Sequence, residues 1–338
     1  MTLKQPVSFD DPARGVSLTL HGGDAPRATV AYRTSDQRTE LSAQVAIDAD
    51  QAQALADLAA VMAQPGAAHL DEHRMRFGNL ARRAGLALPR AAAAMQAAVR
   101  WLLSSREDTN YTYDLTPQNR LHLAHLIAVV TGRPVAEIKG YMDELESDAA
   151  LQAHIAAAFD GQPAPARAVA DRKARYSRRL GWYALARALK PGLIIETGVD
   201  KGLGCVVLCA ALLRNQVEGR PGRYLGTDIR PEAGGLLSGA YAGVGRVLYG
   251  DSIASLQTVT DPVDLFINDS DHSADYEARE YEIIAPRLSA AAVIIGDNAH
   301  VTDKLAAFAE STGRRFVFFR EQPQDHFYPG AGIGLAFR

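Results

Sequence analysis

Apolar and polar residues alternate along three segments near the start of the chain. Apolar side chains occupy every second position within 16–20, 28–32 and 41–47, a period that is typical of half-buried strands. From residue 50 the alanine-rich sequence changes to the helical period, which predicts helices over 50–63, 71–84, 89–104, 117–131, 134–146 and 148–159. We therefore expect a small antiparallel meander followed by a mainly helical region.

Beyond residue 163 the sequence alternates short apolar strands with helices. The segment 161–168, which is rich in Gly, Pro and Ala, interrupts the helical pattern and is typical of a linker. Strands are predicted after it at 193–197, 224–228, 263–268, 292–296, 315–320 and 333–337. Helices are predicted between most of these strands, at 203–214, 231–241, 274–287 and 301–311.

This alternation predicts an α/β fold with a doubly wound, mostly parallel sheet that is covered on both faces. Because no helix separates the last two strands, we expect the final strand to run antiparallel. The sequence thus predicts a mainly helical auxiliary domain over 1–163, which begins with the meander, and a domain with a Rossmann-like sheet over 164–338.

Composition and charge narrow the classes of function. The 338 residues carry a formal net charge of −3, and Lys and Arg are interspersed with Asp and Glu, so nothing indicates a nucleic-acid partner. Cys205 and Cys209 lie one helical turn apart in an apolar run, which favours core positions over a disulfide or a metal site. The N-terminus lacks the apolar core of a signal peptide, and no apolar run is long enough to span a membrane. We therefore expect a cytoplasmic protein without a membrane partner.

A glycine-bearing turn follows the first strand of the α/β region, at the strand end where open α/β sheets bind ligands. Residues 196–202 have the sequence Glu-Thr-Gly-Val-Asp-Lys-Gly. This spacing differs from the G-x-G-x-x-G that cradles a pyrophosphate, and Glu196 favours a cationic or hydroxyl-bearing ligand. Asp228 ends the second strand, where it can bind a ribose, and Asp251-Ser252 follows the third, where it can flank an adenine ring. For the glycines alone, a purely structural turn is the alternative.

Taken in this order, the signals of residues 176–338 resemble class I S-adenosylmethionine (SAM)-dependent methyltransferases. Glu196-x-Gly198-x-x-x-Gly202 resembles the first motif of that family. The resemblance implies SAM as the cofactor and a seven-stranded sheet with an antiparallel last strand. It also implies a set of SAM-binding residues: Glu196, Thr197, Gly198, Gly202, Asp228, Ile229, Asp251, Ser252, Asp269 and Tyr176. Tyr176 lies on a predicted helix over 171–189, whose arginines favour a solvated basic face as the alternative.

Acidic residues follow the fourth and fifth strands of the predicted sheet. These are Asn-Asp-Ser-Asp-His at 268–272 and Gly-Asp-Asn-Ala-His at 296–300, and both ends lie at the edge where SAM would bind. Carboxylates this close repel one another unless a cation or a proton joins them, and Asp and Asn oxygens suit Mg²⁺ or a similar divalent ion. The alternative is that these residues only cap the helices that follow.

The spacing of these two segments resembles that of catechol-type, metal-dependent O-methyltransferases, and sugar O-methyltransferases of macrolide pathways look similar here. The resemblance implies Asp269, Asp297 and Asn298 as metal ligands. His272 lies where the catechol-type family has a catalytic lysine, which makes His272, together with Asp269, the predicted catalytic pair. The metal would lower the pKa of an acceptor hydroxyl, and the histidine would remove its proton.

The predicted partner is a small-molecule acceptor, a natural-product or sugar hydroxyl, with Asp271, His300, His326 and Tyr328 as candidate substrate residues. By analogy, the first domain would form a lid or the interface of a homodimer or higher oligomer. Three alternatives remain open: metal-independent N- or C-methylation, a non-catalytic binding protein, and a nicotinamide-dependent oxidoreductase.

Overall fold

The computed structural model describes residues 6–11, 16–21, 27–33, 40–48, 50, 51, 53, 57, 70–107, 112–297 and 299–338. They belong to two compact units, Met1–Arg100 and Trp101–Arg338. The predicted domain boundary between residues 163 and 164 therefore falls inside the second unit. No helix within the described ranges is long and apolar enough to cross a membrane.

The first unit contains an antiparallel four-stranded sheet in sequential order. Its strands are β1 (Val7–Asp11), β2 (Val16–His21), β3 (Arg27–Arg33) and β4 (Glu40–Ala46). The alternating pattern predicted the last three, and β1 adds a fourth at the edge. Leu18 lies opposite Val30, and Val30 lies opposite Ala43, so the apolar positions that alternate in the sequence are in register across three strands.

Helix α1 (Leu70–Ser104) is continuous where the sequence predicted two helices, at 71–84 and 89–104. Pro89 lies inside it, and the strong helix formers on both sides outweigh the one hydrogen bond that a proline removes. The predicted helix over 50–63 lies mostly outside the described residues.

After α1, the described residues contain five helices before the large sheet: α2 (Pro117–Thr131), α3 (Val135–Glu146), α4 (Ala149–Asp160), α5 (Ala164–Ala168) and α6 (Arg179–Leu189). The ends of α2 are as predicted, because Thr116 caps its first turn and Gly132 ends it with a left-handed φ of 67°. The predicted start of α6 at residue 171 is wrong. Ser177 has a φ of 46°, which is incompatible with a helix that continues through it.

The second unit contains a seven-stranded sheet in the order β10-β11-β9-β8-β5-β6-β7. Its strands are β5 (Leu193–Thr197), β6 (Arg223–Asp228), β7 (Gly245–Tyr249), β8 (Val263–Asn268), β9 (Leu288–Gly296), β10 (Arg315–Arg320) and β11 (Gly332–Phe337). Strand β11 is antiparallel to both neighbours, whereas the strands from β7 to β9 pair in parallel. The predicted sheet with its antiparallel last strand is confirmed.

The helices between the strands are α7 (Leu203–Val217), α8 (Ser252–Gln257), α9 (Ala274–Ile284) and α10 (Lys304–Ser311). A helix predicted at 231–241 is instead a series of turns. Gly234 and Gly239 both adopt a positive φ there, 77° and 57°, a conformation that interrupts a right-handed helix.

Successive strand residues alternate between two apolar cores, which is why the central strands are apolar throughout. Ile194, Leu265 and Val293 point to the core that also contains α2, α3, α6 and α7. Ile195, Phe266 and Ile294 point to the core under α9 and α10. Since the helices at 117–160 bury their apolar faces in the first of these cores, they belong to the same compact unit as the sheet. Cys205 and Cys209 are buried in that core as free thiols, as predicted.

The central strand β5 pairs with β6 on one side and with β8 on the other. The direction of winding reverses there, which opens a crevice beyond the carboxyl ends of the strands. The turns after β5 and β8 pass so close that a Cβ on Gly198 would lie 2.0 Å from the carbonyl oxygen of Asp269. Gly198 also has a φ of 80°, so this position requires glycine on two independent grounds.

We predict that Gly198→Ala lowers the free energy of unfolding by roughly 2–4 kcal/mol, from overpacking and backbone strain. The matched control is Gly140→Ala in α3, where a Cβ meets no atom within 4 Å. This control should stabilise the protein by about 0.5–1 kcal/mol. Urea unfolding of both variants measures the difference, and equal midpoints for Gly198→Ala and the wild type would contradict the steric argument.

Candidate active site

A cavity of about 780 Å³ lies at the carboxyl edge of the large sheet. Gly198 after β5, Asp228 at the end of β6, Asp269 after β8 and Asp297 after β9 all line it. Residues from four strand ends therefore converge on one space, as the sequence predicted from the parallel topology.

The turn after β5 is held in place by Asp228. Its Oδ2 accepts hydrogen bonds from the backbone N–H groups of Val199 (3.1 Å) and Asp200 (2.9 Å), and its Oδ1 accepts one from Arg230 N–H (2.9 Å). The acid predicted to bind a ribose thus organises the glycine turn and also borders the cavity. A carboxylate offers about four acceptor positions, so capacity for a ligand hydroxyl remains.

Beside Asp228, one wall of the cavity combines an apolar surface with polar groups. Ile229 is 76% exposed although it lines the cavity. Asp251 caps α8 through Ala254 N–H (2.9 Å) and also accepts a hydrogen bond from the Tyr276 hydroxyl (3.1 Å). Ser252 completes this wall. An apolar face flanked by acceptors suits a nucleoside, which has a flat base and a hydroxyl-bearing sugar.

Glu196 lies beneath the glycine turn, outside the cavity lining. Its side chain is 2% exposed, and its Oε2 accepts a hydrogen bond from the Tyr224 hydroxyl at 2.5 Å. Burial raises the pKa of this carboxyl from 4.5 to about 8, although Tyr224 and Arg179 counteract the effect. The predicted direct contact between Glu196 and SAM is therefore corrected to a supporting position, because the carboxyl is aimed at Tyr224.

Three other residues predicted to bind SAM also lie outside the cavity lining. Thr197 is buried and donates to Glu280 (2.8 Å), and Gly202 begins α7 with a φ of 98°. Tyr176 is buried, and its hydroxyl accepts a hydrogen bond from Gln152 (2.8 Å). Tyr176 therefore packs within the helical layer, and its predicted contact with SAM is corrected accordingly.

Glu280 of α9 links the ends of β5 and β8 through hydrogen bonds. Its fully buried carboxyl accepts hydrogen bonds from Thr197 (2.8 Å) and Ser270 (2.7 Å), and also from Ser252 and Asn268. Four donors on three different segments thus meet one acceptor, which fixes the spacing between the two walls of the cavity.

The acidic cluster opposite the nucleoside wall contains an arginine, Arg178, that was predicted to lie on a solvated basic face. The guanidinium of Arg178 forms a two-bond ion pair with Asp297 through its Nε and Nη2. Its backbone N–H donates to Glu321 (2.9 Å), and its Nη1 lies 3.5 Å from the same carboxylate. The predicted solvated basic face is wrong for this residue, because Arg178 is buried among acids.

The two aspartates of this cluster have opposite pKa shifts. Burial and the neighbouring Asp297 raise the pKa of Asp269 well above its usual range. Burial also acts on Asp297, but the Arg178 guanidinium outweighs it and holds the pKa of Asp297 below its usual value. The shifts differ in direction because Arg178 binds the carboxylate of Asp297.

These contacts do not fit the predicted divalent metal site. Both oxygens of Asp297 already bind the guanidinium of Arg178. Asn298, the third predicted ligand, lies outside the described residues. Within those residues no three His, Cys, Asp or Glu side chains are grouped to hold a metal ion.

Histidines and a tyrosine form the outer part of the cavity. His272 and His300 are exposed and line it, and Tyr328 lines it in a half-buried position. Asp271 also lines the cavity, although its Oδ1 accepts a hydrogen bond from Ser273 N–H at 2.7 Å, which lowers the pKa of the carboxyl. His272 is thus an exposed imidazole in the lining of the cavity that also contains Asp269 and Asp297.

His326, also predicted to contact substrate, lies outside the cavity lining. It is buried against the rings of Trp101, Tyr113 and Phe327. Burial lowers its pKa to about 4, so His326 is a neutral packing residue that positions Tyr328, whose backbone N–H donates to its Nδ1 (3.1 Å).

The sequence did not predict the cavity positions of two arginines or the acidic residue that binds one of them. Arg178 and Arg179 were assigned to a solvated face, and Glu321 had no predicted role. The available signal was the pair of adjacent arginines at the start of an apolar helix. The partners of Arg178 lie far along the chain, so this pairing becomes visible only in the fold.

Residues 195–299 match the family model described as a methyltransferase domain. No curated protein matches the chain. Similar solved structures include the O-methyltransferase TomG from Streptomyces achromogenes, which is involved in tomaymycin synthesis and was solved in complex with SAM. That similarity has 20% identity, covers 56% of this chain and 90% of that chain, and has a TM-score of 0.40.

Two further solved structures are similar to the chain. The SAH-bound methyltransferase PaMTH1 from Podospora anserina has 16% identity, coverage of 56% of this chain and 88% of that chain, and a TM-score of 0.40. The O-methyltransferase from Bacillus cereus in complex with SAH has 15% identity, coverage of 59% and 91%, and a TM-score of 0.36.

The raised pKa of Glu196 predicts how its substitution changes the pH dependence of stability. Between the ordinary value of 4.5 and about 8, the folded protein retains a proton that the unfolded chain releases, so this carboxyl makes stability fall as pH rises through that window. A glutamine at position 196 can still accept the hydrogen bond from the Tyr224 hydroxyl, but its amide does not titrate. In urea unfolding from pH 5 to 8.5, we therefore expect Glu196→Gln to lose less stability with rising pH than the wild type. Parallel curves would contradict the assignment.

Proposed function

We propose that this chain, which carries a methyltransferase domain of the class I SAM-dependent type, transfers a methyl group to the hydroxyl oxygen of a small molecule. The predicted domain type is confirmed by the match of residues 195–299 and by the strand order. The observation that carries the proposal is one cavity with a nucleoside-type wall on one side and an acidic, histidine-bearing wall on the other.

The cofactor end of this cavity is the wall formed by Asp228, Ile229 and Asp251. Asp228 would hold the ribose hydroxyls, and Ile229 would lie against the adenine. Gly198 lets the turn after β5 pass close to Asp269, which places the backbone of this turn at the cavity. When bound, SAM supplies an electrophilic methyl group on a sulfonium centre.

The acceptor end is formed by His272, His300 and Tyr328, next to Asp269 and Asp297. A small hydroxyl-bearing molecule fits here because the wall offers both hydrogen-bond acceptors and a ring. His272 takes the proton from the acceptor hydroxyl, and the cavity holds the oxygen in line for transfer. Positioning of this kind can supply much of the rate when the methyl donor is already reactive.

The proposed reaction does not use Mg²⁺. The Arg178 guanidinium lies where the predicted metal would neutralise the carboxylates, and it already satisfies both oxygens of Asp297. Arg178 thus holds the acidic wall together as a fixed cation. Acceptor deprotonation then depends on His272, with no Lewis acid to lower the pKa of the hydroxyl.

A nitrogen acceptor is the second candidate, and the same ion pair favours it. An amine needs less activation than a hydroxyl, so a site without a metal can methylate it readily. A panel of matched amines and alcohols, assayed for SAH release, separates the nitrogen acceptor from the oxygen acceptor.

The homo-oligomer and the lid predicted for the N-terminal region stay predictions.

Because the ion pair of Arg178 with Asp297 occupies the predicted metal site, we predict that activity survives removal of divalent ions. EDTA should leave SAH release by the wild type unchanged, and Mg²⁺ or Mn²⁺ should not raise its melting temperature. Arg178→Gln should lose about 3–5 kcal/mol of stability, because it leaves a buried carboxylate unpaired. The variant should then gain a melting-temperature increase with Mn²⁺.

The control is Arg172→Gln, which removes an exposed ion pair with Asp160 and should gain no response to Mn²⁺. Loss of wild-type activity on chelation, restored by added metal, would contradict this part of the proposal.

The assigned base predicts a selective effect of His272→Gln. We expect kcat to fall about 10²–10⁴-fold, as is typical when a general base is removed, while SAH affinity stays unchanged. His125→Gln, at an exposed position of α2, is the control and should retain kcat. SAH release with a panel of hydroxyl-bearing compounds measures both, and an active His272→Gln enzyme would place the base elsewhere.

A further inference from the structure

Arg179, the residue after Arg178, is a buried cation at the edge of the cavity. It is among the residues that line the cavity, and it is only 8% exposed. Neither Nε nor Nη1 has a hydrogen-bond partner among the residues that the structure describes. Buried N–H groups without an acceptor are costly, so these two groups indicate an anion that binds from outside the chain.

The surroundings of Arg179 place it at the cofactor turn. Its guanidinium carbon lies 5.5 Å from the centre of the Trp182 ring. A Cβ on Gly204 would lie 2.7 Å from that ring and 2.3 Å from Glu196 Oε1, so Trp182 packs directly on the first turn of α7. Arg179 is thereby held beside the glycine-bearing turn, whereas Arg178 points to Asp297 and Glu321.

The charges near Arg179 match a particular kind of ligand group. Its guanidinium interacts electrostatically with Glu196, Asp269 and Asp297, so one unsatisfied cation lies among several carboxyl groups. An amino-acid end, with a carboxylate beside an ammonium, complements this arrangement. The carboxylate would pair with the arginine, and the ammonium would face the acids.

We infer that Arg179 binds the α-carboxylate of the methionyl part of SAM and SAH. The inference rests on the proposed function, since it assigns one end of the cofactor to one residue. The carboxylate of an acceptor is the other source of the same chemistry, but Trp182, on which Arg179 stacks, packs against the first turn of α7 after β5. The test distinguishes the two sources, because an arginine that binds only an acceptor would leave SAH affinity unchanged.

The test compares two ligands that share adenosine and a thioether: SAH, which has the carboxylate, and 5′-methylthioadenosine, which lacks it. In Arg179→Met, the dissociation constant of SAH should rise about 10–100-fold, the loss expected for a charge-assisted hydrogen-bonded pair. That of methylthioadenosine should change less than about threefold, because the variant leaves the adenosine wall intact. Isothermal calorimetry of the full chain measures both.

Two more variants keep the inference testable if Arg179→Met folds poorly. Arg179→Lys retains the charge without the planar fork, so SAH affinity should fall between those of the wild type and Arg179→Met. Arg172→Met removes an exposed arginine and should bind both ligands like the wild type. The melting temperatures of the ligand-free variants show that each variant is folded before its ligand affinities are compared.

The outcomes separate the inference from the proposed function. A wild type that binds neither ligand contradicts the proposed function itself. If the wild type binds both and Arg179→Met binds SAH equally well, only the inference is overturned. Equal losses for both ligands would also overturn it, because they would indicate a structural role.

Discussion

The ion pair between Arg178 and Asp297 is the interaction on which the active edge of the sheet depends. Asp269, Asp297 and Glu321 follow β8, β9 and β10, so the topology forces three carboxyl groups together. Without a cation they would repel one another or remain protonated. The cation comes from the residue that precedes α6, which couples the placement of this helix to the strand ends. The ion pair of Arg178 with Asp297 thus sets both the position of α6 and the charge balance of the three carboxyl groups.

This ion pair also bears on the sequence resemblance to catechol-type, metal-dependent O-methyltransferases. Asp269 and Asp297 stand at catechol-type spacing, yet the bidentate geometry of a guanidinium satisfies both oxygens of Asp297. A fixed side-chain cation cannot bind the acceptor oxygen as a metal does. In the proposed reaction, activation of the acceptor therefore depends on His272 and on positioning by the cavity.

Local sequence signals predicted much of the fold, whereas the roles of several site residues depended on distant partners. The apolar strands, the antiparallel β11, the cap at Thr116 and the glycine at 198 were predictable because each follows from a few neighbouring residues. The pairing of Arg178 was not, since Asp297 lies 119 residues away in sequence. Glu196 was assigned to the cofactor for the same reason: its actual partner, Tyr224, is on the next strand. A motif indicates which residues meet at a strand end, but not which way each side chain turns.

Arg178 and Arg179 show how one helix start can serve two purposes. Consecutive residues at the start of a helix point about 100° apart, so two identical side chains enter different environments. Arg178 finds two carboxylates and becomes part of the folded framework. Arg179 stacks on Trp182 without a hydrogen-bond partner for its Nε and Nη1 among the described residues. The nearby carboxyl groups of Glu196, Asp269 and Asp297 offset part of the cost of burying Arg179. In the proposed role, binding of a ligand carboxylate recovers part of the free energy that the unpaired N–H groups cost in folding.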